Sequence, residues 1–127
     1  YEVPIEEAVA AFLETRIAEC EAAGVRRDQL VLDPGFGFGK RVEHNLRLLN
    51  RMQPLTDFGL PVLAGMSRKS MIGKVLARPV EERLPGGLAL ATMAVERGAR
   101  IVRVHDVGPT VDAVNMTWAV LQEGTDA

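Results

Sequence analysis

The chain is poor in most of the features that would mark out a specialised surface. It has one cysteine, Cys20, which excludes an internal disulfide or a cysteine cluster for zinc, and its helical spacing makes it a core filler. A formal net charge of only -2 excludes the strongly basic face of a nucleic-acid binder. No apolar run approaches the ~20 residues of a membrane span, and the N-terminus lacks a basic segment followed by an apolar block. A cytoplasmic location is therefore expected. There is no initiating methionine either, and Tyr1 points to a chain cut from something longer. What remains, 47% hydrophobic and 25% charged over 127 residues, is the profile of one globular domain or a part of one.

Periodicity orders the chain. Ile5, Val9, Phe12, Leu13, Ile17 and Cys20 recur at helical spacing, with Gly24 where a C-cap belongs. A short apolar run, Leu30 to Leu32, reads as a buried parallel strand. Val42, Leu46, Leu49 and Met52 mark a second helix, and Pro61 to Gly65 a second strand that runs into Met66-Ser67-Arg68-Lys69-Ser70. Pro79, Pro85, Gly86 and Gly87 predict irregular chain before Leu88 to Ala99, a helix apolar on nearly every side and so buried all round. A third strand over Ile101 to Val107 follows. Pro109 then opens a last helix with Val111, Val114, Trp118 and Leu121 on one face. The expected fold is α/β, with three parallel strands and four helices.

Each expected strand ends in polar residues, and ligands of α/β proteins sit at the carboxyl ends of strands. Asp33 is followed by Pro34 and by glycines at 35, 37 and 39, which permit backbone courses and close approaches that larger residues block. The same residues also suit a plain turn with Asp33 as a helix cap. Phe36 and Phe38 share this loop, so at least one should cover a ligand or the loop itself. The Gly-Lys ending is not a phosphate loop, because the glycines are too close and Arg41 stands where a metal-holding Ser or Thr belongs. On the third strand, alternation puts Arg103 and His105 on one face with Ile101, and Val102 and Val104 on the other. Arg103 there needs a partner: either an ion pair with Asp106 or Asp33, or a ligand.

Taken together, Asp33-Pro34-Gly35-Phe36-Gly37-Phe38-Gly39-Lys40, His44-Asn45, Gly65-Met66-Ser67-Arg68-Lys69-Ser70 and Arg103-Val104-His105-Asp106-Val107 closely resemble, in order and spacing, the last three strand motifs of dihydropteroate synthase. The first helix and the Arg83, Gly86-Gly87 and Ala89 segment are similar too, so the likeness runs over essentially the whole chain. Related pterin-dependent methyltransferases share the Asp-Pro-Gly type of turn. The Ser-Arg-Lys-Ser and Arg-Val-His-Asp segments, however, resemble the synthase.

This resemblance implies a (β/α)8 barrel that joins 7,8-dihydropterin-6-ylmethyl diphosphate to 4-aminobenzoate, releasing diphosphate in folate synthesis, with sulfonamides as competitors. By matching position, Asp33 would accept from the pterin N3-H and 2-amino group, and Lys69 would donate to O4 and N5. Arg103 would stack on the ring and, with His105, hold the leaving diphosphate. Phe38 and Ser70 would line the aminobenzoate side, and Gly65 would let the backbone approach the pterin. The family's chemistry looks dissociative, so a Ser-His-Asp set is not needed. A full barrel takes about 250 residues. Residues 1–127 are thus expected to be a single partial domain, the C-terminal half of the barrel, inactive by itself. The magnesium ligand and mobile loops implied by the family would lie outside it, and a homodimer is expected. The alternative is a non-catalytic half-barrel that binds pterin or serves assembly.

Overall fold

The computed structural model describes residues 2–125, so Tyr1 and the last two residues lie outside the described chain. The first helix, α1 (Ile5–Ala22), forms because Ile5, Val9, Leu13 and Ile17 bury one stripe, while Glu6 and Glu7 complement the helix dipole in its first turn. Gly24, at φ +95°, ends it as expected, and the Val25 N–H closes back onto the Cys20 carbonyl at 3.0 Å. Phe12, grouped with the buried stripe on spacing alone, is 63% exposed.

After a 3-10 turn at Arg27–Gln29 the chain passes through Leu32, then forms α2 (Val42–Asn50) and the single turn α3 (Gln53–Thr56). The buried face of α2 is Asn45, Leu48 and Leu49, and Leu46 points to solvent. The expected stripe through Leu46 is therefore turned around the helix, because Asn45 is drawn inward by a bond described below. Glu6 on α1 accepts from Arg47 on α2 through Nε and Nη2, both at 2.9 Å. That bond holds the Glu6 carboxyl below its ordinary pKa and ties the two helices together.

The sheet is smaller than expected. Strands β1 (Leu63–Ala64) and β2 (Ile101–Val102) pair in parallel, Leu63 opposite Ile101 and Ala64 opposite Val102. Leu32 contributes one isolated parallel bridge to Val62 in place of a third strand. The reason lies in the backbone bonds. Leu32 donates to Pro61 O and accepts from Leu63 N, both at 2.8 Å, but Pro61 has no N–H to extend the ladder. At the other end, Arg103 N still reaches Ala64 O at 3.0 Å, after which the chain turns away and Val107 already begins a helix. Thus the expected strand over residues 101–107 is only two residues long.

Six helices are present among the described residues, not four. Besides α3, the additions include α4 (Ser70–Leu76), which starts inside the segment expected to be loop. Helix α5 (Leu84–Glu96) begins four residues early, taking in Pro85, Gly86 and Gly87. Proline suits a helix start, and Gly86 sits where α5 crosses α4, with no space for a side chain against Ile72 and Leu76. Nor is α5 buried all round: Ala91, Ala94 and Val95 are buried while Ala89 and Met93 are exposed. In α6 (Val107–Leu121) only Thr110 is buried, so the apolar face of Val111, Trp118 and Leu121 is largely open. The Arg100 guanidinium lies 5.0 Å from the Trp118 ring centroid.

The sheet divides the molecule. Leu32, Val62 and Ala64 are buried beneath the helices, in a core with Phe36, Leu48, Met52 and Leu55. On the other face Val31 and Ile101 are exposed and Leu63 is half-buried, in line with Asp33, Gly65 and Arg103. The functional face is thus the open one.

The adjacent glycines of α5 give a check on this packing. A Cβ on Gly86 would come within 2.6 Å of Ile72 Cγ2, whereas one on Gly87 meets nothing within 4 Å. Gly86→Val should destabilise by about 1–3 kcal/mol through overpacking, and Gly87→Ala should stabilise by about 0.5–1 kcal/mol through helix propensity. Chemical denaturation of the two variants measures both signs.

Candidate active site

The Asp33 loop folds around its own carbonyls and N–H groups. Gly35 N donates to Asp33 Oδ1 at 2.9 Å, making an Asx turn in place of the helix cap that the residues equally suited. Gly35, Gly37 and Gly39 have φ of +74°, +85° and +62°, values that explain the glycines directly. Gly37 N then donates to the Asn45 side-chain oxygen at 2.8 Å, while the Asn45 amide nitrogen donates to Arg41 O at 3.1 Å. This is what turns Asn45 inward on α2. Phe36 is 1% exposed and anchors the loop in the core, whereas Phe38 is 68% exposed. One phenylalanine holds the loop and the other is free for a ligand.

Two lysines complete the loop. Lys40 donates to Gly35 O at 2.9 Å and Phe38 O at 3.2 Å, and Lys69 donates from the next strand end to Phe36 O at 2.6 Å. The Lys69 ammonium also lies 4.6 Å from the Phe38 ring centroid. Both lysines have lowered pKa values. Burial is the main cause for each; the Asp33 carboxylate works against it, and a second cation (Lys69 beside Lys40, Arg103 beside Lys69) works with it.

Across from the loop, the end of β2 supplies Arg103 and His105. Asp106 is taken by Arg68 at 2.8 Å, so the ion pair considered for Arg103 does not form with it. No ion pair or hydrogen bond of the Arg103 guanidinium is formed among the described residues. His105 is held by Ser67: its backbone N–H donates to Ser67 Oγ at 3.2 Å, and its Nδ1 lies 3.1 Å from the same oxygen.

Asp33, Phe38, Leu63, Gly65, Ser67, Lys69, Arg103 and His105 line one hollow of about 130 Å3. Three strand ends therefore converge as expected. Ser70 is the exception among the residues singled out from the sequence, since it is the exposed first residue of α4 and does not line the hollow. Larger hollows exist elsewhere. One, of about 710 Å3, is an open bowl bounded by Glu6, Arg51, Asp57 and Arg97, and it holds none of the strand-end residues.

Residues 1–105 match the family described as pterin binding enzyme. The chain belongs to that family. Within it, the chain is 50% identical over 111 residues to the dihydropteroate synthase of Haemophilus influenzae and 53% identical over 110 residues to that of Escherichia coli. Each alignment covers 87% of this chain but only 40% and 39% of the relative, so the chain spans about two-fifths of their length. Among solved structures, the Yersinia pestis dihydropteroate synthase with a sulfonamide drug complex superposes with a TM-score of 0.93 at 43% identity, covering 96% of this chain and 44% of that one. The Coxiella burnetii dihydropteroate synthase in complex with pteroic acid gives 0.88 at 43% identity, covering 91% and 43%.

Three residues brace this hollow through bonds that the sequence pattern does not show. In the sequence Lys40 and Asn45 belong only to segments that resemble the synthase, and Ser67 to the turn expected to converge with Asp33 and the third strand end. A buried asparagine on an otherwise apolar helix face, eight residues past a Gly-X-Gly loop, was the available signal. Asn45→Ala leaves Gly37 N–H and Arg41 O without these partners, so it should lower stability by about 1–3 kcal/mol and release the loop. Denaturant midpoints and hydrogen exchange at Gly37 read both effects.

Proposed function

We propose that this chain is the strand-end half of a dihydropteroate synthase barrel, a single partial domain. In this reading it binds 7,8-dihydropterin-6-ylmethyl diphosphate for condensation with 4-aminobenzoate. The observation that carries the proposal is the placement of an acceptor, Asp33, and a donor, Lys69, with an unpaired guanidinium, Arg103, around one hollow. A pterin ring has a donor edge at N3 and the 2-amino group and an acceptor edge at O4 and N5, and the two side chains are complementary to these edges.

The residues have capacity for this. Asp33 uses one lone pair on Gly35 N, and a carboxylate has about four, so both oxygens can still accept. Lys69 uses one of its three donors on Phe36 O, leaving two for O4 and N5. Charge-assisted bonds of this kind are worth roughly 1.5–3 kcal/mol each. Arg103, with no ion pair among the described residues, can stack on the ring and, with His105, attract the leaving diphosphate. Phe38 faces the aminobenzoate side, with Ser70 at the start of α4 beyond it. The sulfonamide complex of the Yersinia pestis relative supports the assignment of an aminobenzoate-like subsite here.

Catalysis then rests on charge and orientation. As diphosphate departs from the pterin methylene, Arg103 and His105 offset the negative charge on the leaving group, and Asp33 and Lys69 hold the ring in place for attack by the amine. Magnesium, implied by the family, does not fit the residues present: among the described residues no group of three or more His, Cys, Asp or Glu could hold an ion, and cations flank Asp33. Its ligand belongs in this proposal to the rest of the barrel, as do the mobile loops, so the isolated 127 residues do not turn over. No helix among the described residues is long and apolar enough to cross a membrane, in keeping with a cytoplasmic enzyme. The open apolar face of α6, with Val111, Trp118 and Leu121, suits a homodimer contact.

Two substitutions in the complete protein test this function. Lys69→Ala should lower kcat/KM for the pterin diphosphate about ten- to a hundred-fold, the equivalent of roughly 1.5–3 kcal/mol; a change within about threefold would contradict the assignment. Arg103→Met should leave the melting temperature unchanged or raised while abolishing substrate binding. A steep fall in melting temperature with binding intact would make Arg103 structural.

A further inference from the structure

Arg68 is the member of the Ser67–Ser70 turn to which substrate binding gives no task. It has φ +56°, a left-handed conformation that a residue with a Cβ adopts only when its surroundings require it. Its guanidinium grips Asp106 with two prongs, Nη2 to Oδ1 at 2.8 Å and Nε to Oδ2 at 3.3 Å. The carboxylate is not occupied by helix capping, for Asp106 stands at the start of α6 without a side-chain cap bond. Asp106 is held below and Arg68 above its ordinary pKa, each chiefly by the bond to the other.

Two further contacts hold the same turn. Arg83 donates to Arg68 O at 3.2 Å and to Arg78 O at 3.0 Å, and its guanidinium lies over Gly73, where a side chain would have to displace it. Ser67 is bonded to His105 as described. Two consecutive residues after β1 therefore clasp two consecutive residues after β2. The clasp begins where the sheet stops, since Arg103 N to Ala64 O is the last ladder bond between the strands. The residue after Arg68 is Lys69, and the residue before Asp106 is His105.

We propose that Arg68 and Asp106 are positioning residues: their two-pronged ion pair carries the β1–β2 register beyond the end of the sheet and sets Lys69 and His105 toward the same hollow. The kinetic part of this claim rests on the function proposed for Lys69. Because the pair is partly exposed, its loss should matter little to global stability and much to geometry.

The test is a double-mutant cycle in the full-length protein carrying this segment. Asp106→Asn keeps the side-chain size and removes the charge. It should lower kcat/KM for the pterin diphosphate about tenfold with a melting temperature within about 2 °C of wild type, and Arg68→Gln should do the same. Added to Lys69→Ala, Asp106→Asn should cost clearly less than the roughly tenfold it costs alone, because one of the two groups it positions is gone and only the His105 part remains. If the two losses multiply, or if Asp106→Asn alone stays within about twofold of wild type, the proposal is overturned. A second readout is independent of activity: amine acetylation of Lys69 by acetic anhydride, followed by mass spectrometry with exposed Lys74 as the internal reference. Asp106→Asn should raise Lys69 labelling several-fold relative to Lys74, and an unchanged ratio would also overturn the proposal. Should Lys69→Ala leave kinetics untouched, the substrate role of Lys69 fails while the labelling ratio still decides the clasp.

Discussion

Everything about the site depends on one constraint: the Gly35–Gly39 backbone runs through left-handed conformations, where no helix or ladder can satisfy its polar groups. Apart from one turn bond, Phe38 N to Gly35 O at 3.0 Å, side chains do so instead. Asp33 takes Gly35 N–H, Asn45 takes Gly37 N–H, Lys40 takes the Gly35 and Phe38 carbonyls, and Lys69 takes that of Phe36. The loop is therefore assembled from three directions, and each contributor is fixed by its own element. Phe36, buried in the core below, keeps the loop seated, and that leaves Phe38 above it exposed.

The same economy explains why the site lies on an open face. Residues alternate along the short strands, so Leu32, Val62 and Ala64 go under the helices while Asp33, Gly65 and Arg103 share the other side. Arg103 has no protein counter-ion among the described residues, because Arg68 has already claimed Asp106. Arg103, unpaired among the described residues, and Lys69 together make a positive hollow with a single carboxylate, Asp33, at its rim. That field suits a ligand that presents hydrogen-bond donors at one edge and a polyanion at another.

Much of this was legible from residue order. Gly24 ended the first helix, the alternation at residues 101–105 put Arg103 and His105 on the open face, and three polar strand ends met in one hollow. What misled was local signal outvoted by tertiary contacts. Pro85, Gly86 and Gly87 carry the chemistry of a break, yet they open α5 because Gly86 is needed for close packing on α4. The one apolar face expected of α6 is present and open, since a helix can be amphipathic toward something other than its own core. The strands shrank because runs of apolar residues cannot report how many backbone partners they will find, and Pro61 has no N–H to offer. The roles of Lys40 and Asn45 are hidden in the sequence because their partners are backbone atoms, whose direction no pattern of side chains reveals.

The central claim is that a pterin occupies the hollow between Asp33 and Lys69. The most direct measurement is a crystal structure of the full-length protein that carries this segment, soaked with a pterin. The account predicts ring density with N3 and the 2-amino group on Asp33, O4 and N5 on Lys69, and Arg103 across the ring face. Ring density in the bowl beside Glu6 and Arg97, or in this hollow with the donor edge turned away from Asp33, would contradict it.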